Sequence, residues 1–127
     1  MTEETTPQTE GATATESAET LISYGDFVKL TIRVGTITTA EVVPDADKLL
    51  RLEVDFGDET RQIVSGIRDF VDTPESLVGT QAPFITNLAP RTIRGLESQG
   101  MILAVGDEDT FAFLRPDRRV PPGTTVH

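Results

Sequence analysis

Residues 27–66 read FVKLTIRVGTITTAEVVPDADKLLRLEVDFGDETRQIVSG. The stretch alternates apolar and polar side chains, the period of a strand with one buried face. Val28, Leu30, Ile32 and Val34 share one face, and Lys29, Thr31 and Arg33 the other. Gly35 shifts the parity so that Ile37 points inward, which predicts a bulge or sharp bend there. Pro44-Asp45-Ala46-Asp47-Lys48 is a turn, its two carboxylates expected to cap backbone amides rather than to hold a metal. Leu50, Leu52, Val54 and Phe56 form the next alternating strand, Gly57-Asp58-Glu59 a hairpin turn, and Thr60–Ser65 the return. A long first strand bent at a glycine and followed by a hairpin is what a small closed barrel needs to coil on itself.

Beyond Gly66 the chain leaves the sheet. Thr73-Pro74-Glu75 reads as N-cap, first helical residue and early acid, so a short helix is expected over Pro74–Val78, stopped at Gly79. Ile67, Phe70, Val71 and Leu77 would plug one end of the barrel. Strands are expected again at Gln81–Thr86 and, as a buried apolar run between glycines, at Gly100–Gly106, with a loop from Gly95 to Gly100 before it. Thr110–Leu114 is a further short strand whose Phe111 and Phe113 are expected in the core rather than stacked on bases. Five strands with one short helix between the third and fourth are the layout of an OB-fold, an all-β Greek-key barrel.

Ahead of the barrel, residues 1–20 are Thr, Glu and Ala with almost no large apolar side chain. They are expected to be a disordered acidic tail, leaving 21–127 as the one domain. Leu21, Ile22 and Tyr24 would form a short turn that packs on the barrel or across a dimer.

Composition narrows the chemistry. There is no cysteine, and the one histidine, His127, is the last residue. No thiolate nucleophile, histidine triad or histidine metal cluster is available. The glycines form no phosphate-binding loop. An enzyme is not expected, nor a cofactor or a metal. No basic leader precedes an apolar segment, and no apolar run reaches membrane-spanning length, so the expectation is a soluble cytoplasmic protein.

Residues 86–106, TNLAPRTIRGLESQGMILAVG, hold the candidate site. Arg91 and Arg94 can grip phosphates as two-pronged donors. Asn87, Ser65 and Ser98 suit sugar hydroxyls and base edges, Met101 either offers a soft apolar surface or packs in the core, and Lys48 stands at a barrel rim. Pairing of the arginines with Glu97 or Asp69 is the competing reading. With no Trp and one Tyr, stacking platforms for single strands are scarce, which favours a folded RNA read by shape and backbone.

Three segments also resemble a known family. Asn87-Leu-x-Pro-Arg91 followed by Arg94-Gly-x-x-Ser98-x-Gly-Met101, with Pro44–Leu49 and Thr60–Gly66 in the same order, is similar to the signature of the tRNA-binding domain. That domain is appended to many bacterial methionyl-tRNA synthetases and to eukaryotic synthetase-associated factors. It also occurs in free-standing bacterial proteins, some described as export chaperones. The resemblance runs from about Phe27 to His127. It implies an OB-fold, non-catalytic tRNA binding with Lys48 near the RNA, a homodimer built on Leu21–Tyr24 and the C-terminal extension, and a methionyl-tRNA synthetase as partner, the chain being free-standing or a detached accessory subunit. Ala89 and Thr92 stand where members often carry basic residues.

The net charge of −10 works against RNA. Five glutamates in residues 1–20 supply half of it, and 16 acidic against 11 basic residues supply the rest. Only two of the 11 bases, Lys29 and Lys48, are lysines. A surface rich in acids and poor in lysine points to adaptation to high salt, where the Debye length is about 3 Å at molar concentration. Two alternatives therefore stand beside tRNA binding: a peptide-binding chaperone, and an assembly module for a synthetase with weak or no RNA binding.

Overall fold

Ten strands organise the computed structural model, which describes residues 20–127. They are β1 (Ile32–Val42), β2 (Leu50–Asp55), β3 (Thr60–Ser65), β4 (Gln81–Ile85), β5 (Arg91–Ile93), β6 (Leu96–Ser98), β7 (Met101–Ile102), β8 (Ala104–Val105), β9 (Ala112–Phe113) and β10 (Thr125–Val126). The expected disordered tail, residues 1–20, lies outside the described residues but for Thr20.

The alternation of residues 50–65 is obeyed. Leu50, Leu52 and Val54 are fully buried, and β2 pairs with β3 from Leu50 opposite Ser65 to Asp55 opposite Thr60. β1 is the central strand. It pairs with β2 on one side, with β4 on the other, and with β10 at Ile32 and Arg33. β7 adds to β4, giving the order β3-β2-β1-β4-β7, all antiparallel. The sheet then curls until β3 meets the chain beyond β6. There Gln99 N donates to Gln62 O at 2.8 Å, Gln62 N donates to Gln99 Oε1 at 3.0 Å, and Val64 N donates to Ser98 Oγ at 3.0 Å. Side chains thus complete what the backbone ladder leaves open, and the result is the nearly closed five-stranded barrel of the OB-fold.

The bend of β1 is not where the parity shift put it. The register slips between Ile37 and Thr39, so the bulge is at Thr38. Gly35 has a different task. A Cβ there would collide with Val54 Cγ1 and the Phe56 ring, so the glycine lets the core press against the β1 backbone. Val34, Gly35, Thr36 and Ile37 are buried in succession, because β1 is wrapped by sheet and loops on both faces. Val28 and Leu30 fall outside the strand and are exposed.

The short helix expected over Pro74–Val78 is a 3-10 turn over Pro74–Leu77. Four residues between Pro74 and Gly79 are too few for a ladder of i→i−4 bonds. The Thr73 carbonyl, not its side chain, holds the turn, accepting from Ser76 N and Oγ. A second such turn covers Arg68–Phe70. Among the described residues the α-helix is α1 (Tyr24–Phe27), in the lead-in, with a reciprocal cap between Ser23 and Asp26. The lead-in does not pack on its own barrel: Leu21 is 85% and Tyr24 79% exposed.

Phe56 and Phe84 meet edge to face at 5.5 Å in the centre of the core. Ile67 and Leu77 join them, and Phe70 and Val71 pack against the cluster, as the plug at one barrel end. Phe70 stacks on Phe111 at 4.3 Å, and Phe111 meets Phe113 at 5.0 Å, so both late phenylalanines serve packing. Gly100–Gly106 is not one buried strand. The chain changes partner at Leu103, from β4 for β7 to β9 for β8, leaving Met101 and Val105 exposed.

Five of the eleven bases are tied into ion pairs with described residues. Arg33, over the Phe56 ring, holds Asp58 and Glu59; Arg61 also holds Glu59; Arg51 holds Glu41 and Glu53. Hydrogen bonds from Arg61 and Arg33 keep the Glu59 carboxyl below its usual range, and those from Arg51 and Thr39 do the same for Glu53. A carboxyl whose folded pKa is lowered contributes stability that is complete above its unfolded value of about 4.3 and is lost as the pH falls through the folded value. The melting temperature should therefore drop as the pH is taken below about 4. Glu59→Gln should make that drop shallower, as acid titration followed by circular dichroism would show.

Candidate nucleic-acid interface

Residues 91–98, partly read as loop, form a hairpin. β5 and β6 pair from Arg91 opposite Ser98 to Ile93 opposite Leu96. Arg94 (φ 53°) and Gly95 (φ 80°) are the two turn residues, both left-handed, as the tight type I′ turn requires. Arginine is an unusual first turn residue, since a left-handed non-glycine costs about 1 kcal/mol. Three-residue arms without alternation gave no strand period to read.

The hairpin lies against β3 and forms a strip with three depressions. Beneath Arg91 is a small cavity of about 70 Å³, walled by Val64, Leu88, Ala89, Ile93, Ser98 and Met101 among others. Ile93 is shared with an open depression of about 390 Å³ in which Arg94 faces Ala46, Asp47, Lys48 and Leu49. Leu88 and Ala89 are shared with a third, of about 400 Å³, lined also by Glu59, Arg61, Asn87 and Gln99. Lys48, Arg94, Arg91, Met101 and Asn87 thus fall on one continuous surface. Ser65 lines none of the three and sits at the end of β3 opposite Leu50.

The predicted residues divide by what their side chains do. Arg91 and Arg94 are exposed and form no ion pair with a described residue, neither with Glu97 nor with Asp69. Asp69 instead lies 3.6 Å from the Lys48 ammonium, an exposed pair of little strength. Met101 is exposed beside Arg91 rather than in the core. Asn87 is committed inward: its Nδ2 donates to Lys29 O at 2.6 Å and its Oδ1 accepts from Thr31 N at 2.7 Å, bracing the lead-in. Ser98 is buried, accepting from Val64 N and donating to Gly100 O at 3.0 Å. Ser98→Ala should cost about 1–3 kcal/mol by stranding the Val64 amide, readable as a lower midpoint in chemical denaturation with unchanged slope. Asp45 and Asp47, expected to cap amides, accept no side-chain hydrogen bond among the described residues; Asp45 is itself left-handed at φ 62°.

Two residues escaped the sequence reading. Arg61 Nη1 donates to the carbonyls of Thr86 and, at 3.0 Å, Gln99, tying β3 to the chain on either side of the hairpin. Arg68 donates to Asp47 O at 3.3 Å and holds the turn that carries Lys48. Their positions in the sequence resemble any other strand or turn arginine, so only the partners reveal them.

A profile of the family described as "Putative tRNA binding domain" matches residues 32–125, which run from the start of β1 through the hairpin to the first residue of β10. The chain belongs to the tRNA-binding domain family. The methionine–tRNA ligase of Methanosphaerula palustris is 51% identical over 111 residues, 87% of this chain and 16% of the ligase. The chain therefore spans only a small part of the curated relatives it matches. Among solved structures, a methionyl-tRNA synthetase-related protein from Pyrococcus horikoshii superposes with a TM-score of 0.80 at 37% identity, covering 86% of this chain and all of that one. The chaperone CsaA from Bacillus anthracis follows with a TM-score of 0.76 at 31% identity, covering 85% of this chain and all of CsaA.

Proposed function

We propose that this domain binds folded tRNA without catalysis, through the strip that runs from Lys48 past Arg94 and Arg91. One observation carries the reading. In a chain with 21 acids and 11 bases, two arginines stay exposed and unpaired among the described residues, on a short hairpin whose tip accepts a strained backbone to present one of them. Strain of this kind persists where function needs the geometry. Guanidinium forks at this spacing suit the phosphate backbone. Asn87 and Ser98 support the strip from within, and Ser65 flanks it. The acidic remainder acts at longer range and is screened at high salt, whereas direct contacts survive.

The same reading makes the domain an accessory of a methionyl-tRNA synthetase in the cytoplasm, and a homodimer. Leu21, Ile22, Tyr24, Phe27, Val28 and Leu30 are all exposed on the lead-in, next to β10 on the edge of β1. A second copy would cover them and place two RNA sites in one particle. That exposed face also favours the chaperone alternative, although the cavity under Arg91, at about 70 Å³, is too small to take a peptide side chain of any size. Titrating labelled tRNA with the full chain from low to near-molar salt tests the function. Saturable binding that weakens with salt supports it; absence of binding at every salt, with a synthetase still captured, favours the assembly module.

A further inference from the structure

Arg115, Arg118 and Arg119 follow β9 and surround an open depression of about 200 Å³ together with Gly79 and Thr80, at the start of β4. The hairpin strip begins past the other end of β4. The four steps from Gln81 to Ile85 alone span about 13 Å, so the two clusters are separate surfaces.

The loop is pinned at both ends. Phe113 packs on Phe111, which stacks on Phe70, and the Arg115 guanidinium lies 5.2 Å from the Phe113 ring centre. At the far end, buried Gln81 exchanges two hydrogen bonds with the Val120 backbone, and Arg119 Nη1 donates to Gly79 O at 2.9 Å. Asp117 sits between the arginines in sequence, yet none of the three forms an ion pair with a described residue. Like Arg68, Arg91 and Arg94 they lack a carboxylate partner among the described residues, and these three stand together on one fixed, exposed loop of a strongly acidic chain. We infer that Arg115, Arg118 and Arg119 form a second phosphate-binding surface, which grips the backbone of a different stretch of the same folded RNA.

The chemistry excludes base readout. The Gln81 amide, the one side-chain amide at the depression, is spent on Thr36 and Val120. The three exposed guanidinium groups match phosphodiester oxygens without regard to sequence. Two cationic surfaces separated by the length of β4 fit a folded RNA that curves past the barrel. This inference rests on the RNA reading above, but its residues are distinct.

The test compares three forms of the full chain binding labelled tRNA across a salt series, each with hydroxyl-radical footprinting of the tRNA. Arg115→Gln with Arg118→Gln should lower the slope of log affinity against log salt by about 1.5. It should also cut low-salt affinity about tenfold, equivalent to one charge-assisted hydrogen bond or less per arginine. Its lost protection should lie on a stretch other than the one lost with Arg91→Ala and Arg94→Ala. Arg118 has no hydrogen-bond or ion-pair partner among the described residues, so Arg118→Gln alone gives the half-effect free of any folding defect. A wild-type slope and footprint in the loop variant would overturn the inference while leaving the hairpin site intact. Failure of the unaltered chain to bind tRNA would remove both. Capture of polyglutamate, instead of tRNA, through Arg115 and Arg118 would make the loop a docking site for an acidic protein and likewise overturn it.

Discussion

Phe84→Ala should destabilise the domain by about 3–5 kcal/mol, the range for truncating a buried aromatic. Phe84 is fully buried and meets Phe56 edge to face, and Phe56 in turn underlies the Arg33 guanidinium. Removing the ring opens a cavity where three parts of the barrel converge: β4 itself, β1 opposite it through the Arg33–Phe84 register, and β7 through Ile102. None of these can collapse inward without breaking its ladder. Small domains have total stabilities of about 5–15 kcal/mol, so the variant is expected to be partly unfolded at 37 °C. Its melting temperature should fall by roughly 15 °C or more. Thermal denaturation followed by far-ultraviolet circular dichroism reads this directly. A loss below 1 kcal/mol would mean that the core is not centred on this pair.

Arg91→Ala combined with Arg94→Ala should leave the melting temperature nearly unchanged and reduce tRNA affinity by about two orders of magnitude. Two charge-assisted hydrogen-bonding groups, at about 1.5–3 kcal/mol each, set that scale. Stability should be spared because neither guanidinium has an internal partner among the described residues, and alanine at position 94 carries the same left-handed backbone cost as the arginine it replaces. Arg94→Gly relieves the left-handed turn and removes the charge together, so it makes stability and binding move in opposite directions. That variant should be at least as stable as the parent while binding tRNA more weakly. Equal binding by parent and double variant would move the site away from the hairpin.

Where the sequence was readable, one strong periodic signal fixed one element. Leu50, Leu52, Val54 and Phe56 alternate without interruption, and β2 lies where they put it. β1 was harder. Val34 and Ile37 are both buried because both faces of the strand are covered, not because parity shifts at Gly35; a glycine can mark either a bulge or a close approach, and only the packed Val54 and Phe56 side chains show that Gly35 is the second kind. The hairpin leaves no signal in the sequence because its turn begins with arginine rather than asparagine or aspartate and its arms are three residues long. The short helix expected at Pro74 is a 3-10 turn, a distinction the sequence does not carry because caps mark where a helix starts, not how its bonds are spaced.

The site was legible by residue type and less so by role. Arg91, Arg94 and Lys48 could be named from charge and position, and they do share one surface. Asn87 and Ser98 look alike on paper as exposed polar groups. Their partners lie 56 to 58 residues away for Asn87 and 34 for Ser98, a separation no local pattern carries. Arg61 was hidden for the same reason. Long-range hydrogen bonds decide whether a polar residue faces a ligand or holds the platform beneath it.

The most direct test of the tRNA reading is a backbone amide chemical-shift titration of the isotope-labelled chain with tRNA at moderate salt. The account predicts the largest perturbations at residues 91–96 and at 46–49, with the amide of Gly95 among the strongest. A titration that moves only the lead-in, or none of these residues at any tRNA concentration, would contradict it.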